Sequence, residues 1–85
     1  MLHAREDYNR IQDPEMKIGE TEPVFLLRAK DKHAPATLDY WSDLVDASGN
    51  KSLANKIRQW AEKMRRWQEC NTAKIPDDPE FTTIK

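Results

Sequence analysis

Basic side chains gather at three places in this sequence of 85 residues, and they are its best candidates for chemistry. Arginine holds phosphate oxygens with two parallel N–H donors, and lysine adds a mobile point charge. The pattern predicts binding of a phosphorylated ligand, unless these charges only solvate helix faces. The three clusters are Arg28, Lys30 and Lys32; Arg5 and Arg10 on either side of Tyr8; and Lys63, Arg65 and Arg66.

Aromatic side chains lie beside two of these clusters. Tyr8 stands between Arg5 and Arg10, and Phe25 lies shortly before Arg28. Stacking of a nucleobase on an aromatic ring contributes about 1–3 kcal/mol. Positive charge combined with a stacking surface therefore indicates a nucleotide as the phosphorylated ligand.

Groups that support catalysis or metal binding are few. Gly19 and Gly49 are the only glycines, so the chain has no glycine-rich phosphate loop. His3 and His33 lack metal-ligand spacing, and the single cysteine, Cys70, can form neither an internal disulfide nor a cysteine zinc site. We therefore expect a protein that is not an enzyme and that holds no metal and no cofactor.

The composition suits one small globular domain. The hydrophobic fraction is 38% and the charged fraction 34%, which is too charged for a membrane span and too apolar for full disorder. The longest apolar run, residues 24–27, is far below the roughly 20 residues of a transmembrane helix. With no apolar leader at the N-terminus, we expect a soluble intracellular protein without a membrane partner.

The formal net charge of −1 hides an uneven distribution of charge. Residues 49–71 carry +4, whereas residues 1–22 carry −3 and residues 23–48 and 72–85 carry −1 each. An anionic ligand is therefore expected first near residues 49–71.

A helix from residue 52 to about residue 71 is the clearest predicted element. Its apolar residues recur at steps of three and four, the spacing of one helical stripe. A short polar side chain at Asn50 or Ser52 can accept an otherwise unpaired backbone N–H at the start. The stripe consists of Leu53, Ile57, Trp60, Met64 and Trp67.

A second apolar stripe precedes this helix. Gly49 can take the left-handed conformation that closes a helix, and the short connection over residues 48–51 predicts two antiparallel, facing helices. Because Trp41, Trp60 and Trp67 lie on the stripes, we expect them to pack in the core or between copies. The earlier stripe consists of Ala34, Leu38, Trp41 and Val45.

The start of the first long helix has two solutions. Pro35 can lie in its first turn with Asp31 as the N-cap, which leaves residues 24–28 as a short strand. Alternatively, the helix starts at Pro23 and bends at Pro35. A strand needs a partner, and only residues 81–84 resemble one, so we prefer the bent helix.

The predicted fold class is all-α, with a short N-terminal helix and two long antiparallel helices, the first kinked near Pro35. Residues 1–22 hold the short helix, from residue 2 to about residue 10, and a turn. Residues 23–72 form the hairpin, and residues 73–85 form an extended or mobile tail.

Several apolar side chains have no place inside such a hairpin. Two helices facing each other bury one stripe apiece, which leaves Phe25, Leu26 and Tyr40 without an intramolecular partner. Because exposed apolar patches mark partner surfaces, and symmetric self-association is the commonest way to cover one, we expect a homo-oligomer.

The sequence EPVFLLRAKD at residues 22–31, followed by a helix containing Tyr40 and Trp41, resembles small bacteriophage proteins. Over residues 4–72 the layout is similar to that of the phage anti-CBASS cyclic-nucleotide sponges, short all-α proteins that assemble as homohexamers. The resemblance implies binding of cyclic dinucleotides, and in some members cyclic trinucleotides. It implies that this protein sequesters these second messengers in the host cytoplasm without cleaving them, so that CBASS effectors stay inactive.

The resemblance also implies residues for a dinucleotide site. In the family, an N-terminal tyrosine and a lysine line a pocket between subunits. Tyr8 matches the tyrosine, and Lys30 is our choice for the lysine, with Lys17 and Lys32 as alternatives.

For cyclic trinucleotides, the family uses an arginine and an asparagine late in the last helix. Arg65 and Asn71 occupy such positions in this sequence. The candidate ligand-binding residues are therefore Tyr8, Arg10, Phe25, Arg28, Lys30, Arg65 and Asn71.

Two other functions would use the same surfaces. A nucleic-acid-binding oligomer would lay the basic residues 51–66 against phosphates, although acidic residues on both sides argue against it. A protein-interaction or structural phage protein would dock through Phe25, Leu26 and Tyr40.

Overall fold

The computed structural model of the protein describes residues 1–4 and 12–75 and divides into two compact units. The first unit includes the chain up to Leu26, and the second begins at Leu27. The described residues are mostly helical, which confirms the helical character of the predicted fold. Within them, no helix combines the length and apolarity that a membrane span requires.

A two-stranded parallel sheet lies in the first unit. Its strands are β1 (Leu2–His3) and β2 (Pro23–Val24), and the Leu2 N–H donates to the Glu22 carbonyl at 2.7 Å. The sequence analysis predicted helices starting at residues 2 and 23, and both predictions are wrong at these positions. The physical reason is that each short strand has the other as its partner, a pairing that no local pattern signals.

Helix α1 (Ala34–Ala47) begins later than predicted, with Pro35 in its first turn. The Asp31 carboxylate accepts the His33 N–H at 2.9 Å, and the Asp31 carbonyl accepts the Ala34 N–H at 3.0 Å. Proline is favourable at this place because its missing N–H would have had no helical acceptor. The prediction of a longer first helix that bends at Pro35 is therefore wrong. Of the alternative, the placement of Pro35 in the first turn is confirmed, whereas the N-cap is His33 rather than Asp31 and the strand covers Pro23–Val24 rather than residues 24–28.

Helix α2 (Lys51–Cys70) follows a short turn, as predicted. Gly49 has φ +96°, the left-handed conformation expected just past a helix end. The Asn50 side-chain oxygen accepts the Leu53 N–H at 3.0 Å, which caps the helix N-terminus. These local signals fix the start of α2 within one residue of its predicted position.

Ion pairs join the two helices along one side. Arg58 Nη2 lies 3.3 Å from the Asp43 carboxylate and 3.1 Å from the Asp46 carboxylate, and Arg65 pairs with Asp39. Residue numbers rise along α2 as their partners' numbers fall along α1, so the helices are antiparallel. We call this the ion-pair side of the hairpin; it comprises Arg58, Arg65 and the three aspartates.

Small side chains form the contact between α1 and α2. Ile57 is the largest side chain that is buried, and most of the others are alanines. Short side chains allow two helix backbones to approach closely, so the hairpin is held by a thin core. The buried residues of the two helices are Ala34, Pro35, Ser42, Ala54, Ile57 and Ala61.

The three tryptophans lie outside this contact. Trp41 is 49% exposed, Trp60 55% and Trp67 42%, so their predicted place in the core of the chain is wrong. Packing between copies, the other half of that prediction, stays a prediction. The error is one of register, because the buried line on α2 passes through Ala54 and Ala61 and leaves the bulkier indoles on its flank.

The ion-pair side should make the free energy of unfolding depend on pH in the acidic range. Lys51 and then Arg58 donate to the Asp46 carboxylate and lower its pKa below the ordinary aspartate value. A lowered folded-state pKa stabilises the fold above the unfolded-state pKa, and this stabilisation is lost as the pH falls through the folded-state value.

We therefore expect wild type to have a higher urea midpoint than Asp46→Asn at pH 7, by a small margin because these ion pairs lie at the protein surface. The margin should shrink as the pH falls below about 4. Urea titrations of both proteins across this range measure it. A margin that is unchanged in acid would contradict the role of the Asp46 charge.

Candidate anion-binding site

An open concavity of about 460 Å³ lies in the second unit, beside the C-terminal end of α2. It is lined by three cationic side chains, one indole, one amide and one hydroxyl. We call it the basic basin. Its lining residues are Arg28, Lys30, Trp67, Asn71, Thr72 and Lys74.

Backbone pairing joins the two segments that carry the lysines. Asp31 and Lys74 form an isolated parallel bridge. The Lys74 N–H donates to the Lys30 carbonyl at 2.7 Å, and the Lys32 N–H donates to the Lys74 carbonyl at 3.0 Å. The chain before α1 and the chain after α2 therefore run side by side, which brings Lys30 and Lys74 to one basin.

Gln68 anchors the segment that carries Arg28 and Lys30. Its side-chain nitrogen donates to the carbonyls of Ala29 and Asp31 at 2.8 and 2.9 Å. Both acceptors flank Lys30, so one half-buried amide fixes the main chain on either side of this lysine. Because Gln68 belongs to α2, these two hydrogen bonds attach the segment that carries Lys30 to this long helix.

The end of α2 supplies the apolar and amide parts of the basin. Trp67 is 42% exposed, so part of its indole is accessible. The Asn71 side chain donates to the Trp67 carbonyl at 2.7 Å and so helps to close the last turn of the helix. An accessible indole beside cations is the combination that binds a base and its phosphate.

The charges that line the basin are of one sign. Its described lining residues include Arg28, Lys30 and Lys74 and no carboxylate. An anion would be attracted by cationic side chains that share one concavity. Arginine adds a planar pair of donors that matches two phosphate oxygens.

The structure brings together three of the seven predicted site residues. Arg28, Lys30 and Asn71 line the basin. Arg65 lies on the ion-pair side instead, where pairing with Asp39 raises its pKa.

Of the remaining three predicted site residues, one belongs to the first unit and two lie outside the described residues. Phe25 is 57% exposed and belongs to the first unit. Tyr8 and Arg10 lie outside the described residues.

Sequence reasoning missed three residues that line the basin: Trp67, Thr72 and Lys74. Trp67 was assigned to the apolar stripe, and Lys74 to the tail. Arg28 and Lys30, which the sequence analysis did single out, lie in a turn in which the Asp31 N–H donates to the Arg28 carbonyl at 3.0 Å. The bridge to Lys74 joins distant residues and has no local signal.

Searches against protein-family models, curated proteins and solved structures found no match for this chain.

Proposed function

We propose that this protein binds cyclic oligonucleotides, dinucleotides first and trinucleotides second, and sequesters them without cleavage. The observation that carries the proposal is the basic basin, where three cations and an accessible indole share one concavity. The resemblance noted in the sequence gives the setting: a phage protein that acts in the host cytoplasm and keeps CBASS effectors inactive.

The size of the basin supports a ligand of nucleotide scale. Its volume of about 460 Å³ falls within the range of about 300–1,000 Å³ that is typical of small-molecule sites. Phosphate oxygens would accept hydrogen bonds from the guanidinium of Arg28 and the ammonium of Lys30, and the base would stack on the Trp67 indole. These groups bind and orient a ligand.

A single basin is open to solvent, so a cyclic dinucleotide would project beyond it. A second basin from another copy would provide phosphate contacts for the remaining half of the ligand. The proposal therefore includes a homo-oligomer, of which the hexamer implied by the resemblance is one form. Ligand binding would then stabilise the folded assembly by mass action.

Melting of the protein with 3′,3′-cyclic GMP-AMP or cyclic tri-adenylate tests the proposal. We expect a concentration-dependent rise in melting temperature and recovery of the intact nucleotide afterwards. Lys30→Ala should weaken binding about tenfold or more, because a charge-assisted phosphate contact is lost.

Lys32→Ala is the matched control, since Lys32 is an exposed lysine of the same segment that does not line the basin. Equal losses in the two variants would mean that the basin is not the site. No thermal shift with either nucleotide at saturating concentration would overturn the function. A shift that is as large with a linear single-stranded oligonucleotide would favour general nucleic-acid binding instead.

A further inference from the structure

The side of the hairpin opposite the ion-pair side is apolar. Successive residues of an α-helix are turned by about 100° about its axis. On α2 this places Arg58 and Arg65 on one side of the buried line through Ile57, and Trp60 and Trp67 on the opposite side. Because the arginines contact α1, their position settles which side the tryptophans occupy.

Helix α1 shows the same division. Asp39 and Asp46 lie on one side of the buried Ser42, and Trp41 lies on the other. Antiparallel packing places the two apolar sides together. We call the shared surface the tryptophan face; it consists of Trp41, Leu53, Trp60 and Trp67.

Among the residues of α1 and α2, the charged side chains beside the tryptophan face are positive. Lys63 Nζ lies 4.4 Å from the centroid of the Trp60 ring, and Lys56 lies about two helical turns before Lys63 on the same flank. The acidic residues of both helices lie on the ion-pair side or on the outward surface. The other edge of the face, on α1, is uncharged and carries the exposed Tyr40 and Leu44.

The thin core indicates that the face needs a permanent cover. The hairpin buries alanines, one serine, one proline and one isoleucine, while Leu38 and Met64 are half-buried and the three tryptophans are about half exposed. A core of small side chains stabilises a chain only weakly, and self-association is one general way to enlarge it. A second copy is the one partner that is always present at the concentration of the protein itself.

The exposed area is sufficient for a stable pair. Trp41 and Trp60, each about half exposed, leave roughly 260 Å² accessible, given about 250 Å² for each indole side chain, and Trp67 adds only the part of its indole that does not line the basin. The exposed parts of Leu44, Leu53 and the lysine stems bring one face to about 500 Å², so two faces bury about 1,000 Å², the lower bound for a specific interface.

We infer that the tryptophan face is an interface between two copies of this chain, with α2 of each copy packed against α1 of the other. Charge selects this arrangement, because α2 against α2 would oppose the lysines of the two copies. In the inferred arrangement Lys63 lies beside the uncharged edge formed by Tyr40 and Leu44. Trp67 belongs both to the face and to the basic basin, so the partner's α1 would border the basin.

Sedimentation velocity without nucleotide tests the interface separately from the proposed function. We expect wild type to sediment as a dimer or a multiple of it. Trp60→Glu should weaken association by about a hundredfold, because a carboxylate would be buried at the centre of the face. Gln59→Glu, which adds the same charge at an exposed neighbour on the outward surface, should leave association unchanged.

Several results would overturn the inference. One is a wild type that sediments as a monomer; if the tryptophan emission of that monomer changes only when anionic vesicles are added, the face binds a membrane surface instead. Another is equal association of the Trp60→Glu and Gln59→Glu variants. If Trp60→Glu does not fold, the interface can still be tested by diluting wild type until the copies dissociate and following its tryptophan emission. Tryptophan emission should shift to the red as the copies separate, and constant emission through dissociation would place the interface elsewhere.

Cysteine cross-linking tests the orientation of the two copies. On a Cys70→Ser background, a mixture of Lys63→Cys and Leu44→Cys should form a disulfide between the two chains under mild oxidation. Lys63→Cys alone should not. A cross-linked dimer of Lys63→Cys alone would place α2 against α2 and contradict the inferred arrangement.

Discussion

Ala61→Leu should lower the melting temperature of the protein by about 4–24 °C. Ala61 is fully buried between α1 and α2, where the helices meet through short side chains. The added methyl groups have no space there, and overpacking of this kind costs about 1–3 kcal/mol. In a domain of this size each kcal/mol lowers the melting temperature by about 4–8 °C.

Ala47→Leu is the matched control for this substitution. Ala47 is the last residue of α1 and is exposed, so the same side chain extends into solvent. Its melting temperature should stay within a few degrees of wild type, as measured by circular dichroism. Equal melting temperatures for Ala61→Leu and wild type would show that the helices do not pack on these alanines.

Gln68→Leu should reduce both stability and nucleotide affinity. Leucine has nearly the volume of glutamine but cannot donate to the carbonyls of Ala29 and Asp31. Loss of these partners is expected to cost about 1–3 kcal/mol, because partly buried acceptors are left unsatisfied. The segment that carries Arg28 and Lys30 would then lose its attachment to α2, and affinity for a cyclic dinucleotide should fall about tenfold.

A double-mutant cycle separates positioning from simple loss of stability. If Gln68 positions Lys30, then Lys30→Ala should weaken binding much less on the Gln68→Leu background than in wild type. Additive losses, measured by calorimetry at a temperature where each variant is folded, would contradict a positioning role. Gln59→Leu, at an exposed position of the same helix, should leave both melting and binding unchanged.

Local chemistry predicted the second helix and its connection well. Asn50 caps α2 and Gly49 takes positive φ because these residue types stabilise those conformations whatever surrounds them. The buried register was harder to predict. A stripe of large apolar residues is normally the core, but here the helices approach on Ala54 and Ala61, and the tryptophans lie on the flank.

Pairing over long sequence distances was beyond prediction from a single sequence. Each strand of the sheet in the first unit has only two residues, too few to show a periodicity. The basin depends on the bridge between Asp31 and Lys74, whose partners have no pattern in common. Arg28 and Lys30 were singled out by the charge pattern and Asn71 only by the family resemblance, whereas Lys74 required the fold.

The bridge between Asp31 and Lys74 also bears on the order of folding. Contacts between α1 and α2 close a three-residue turn, whereas this bridge closes a loop that contains the whole hairpin. Loop closure costs more entropy as the loop grows, so the hairpin should form early and the basin late. A ligand held by residues on both sides of the bridge would act on this last step, slowing unfolding more than it speeds folding.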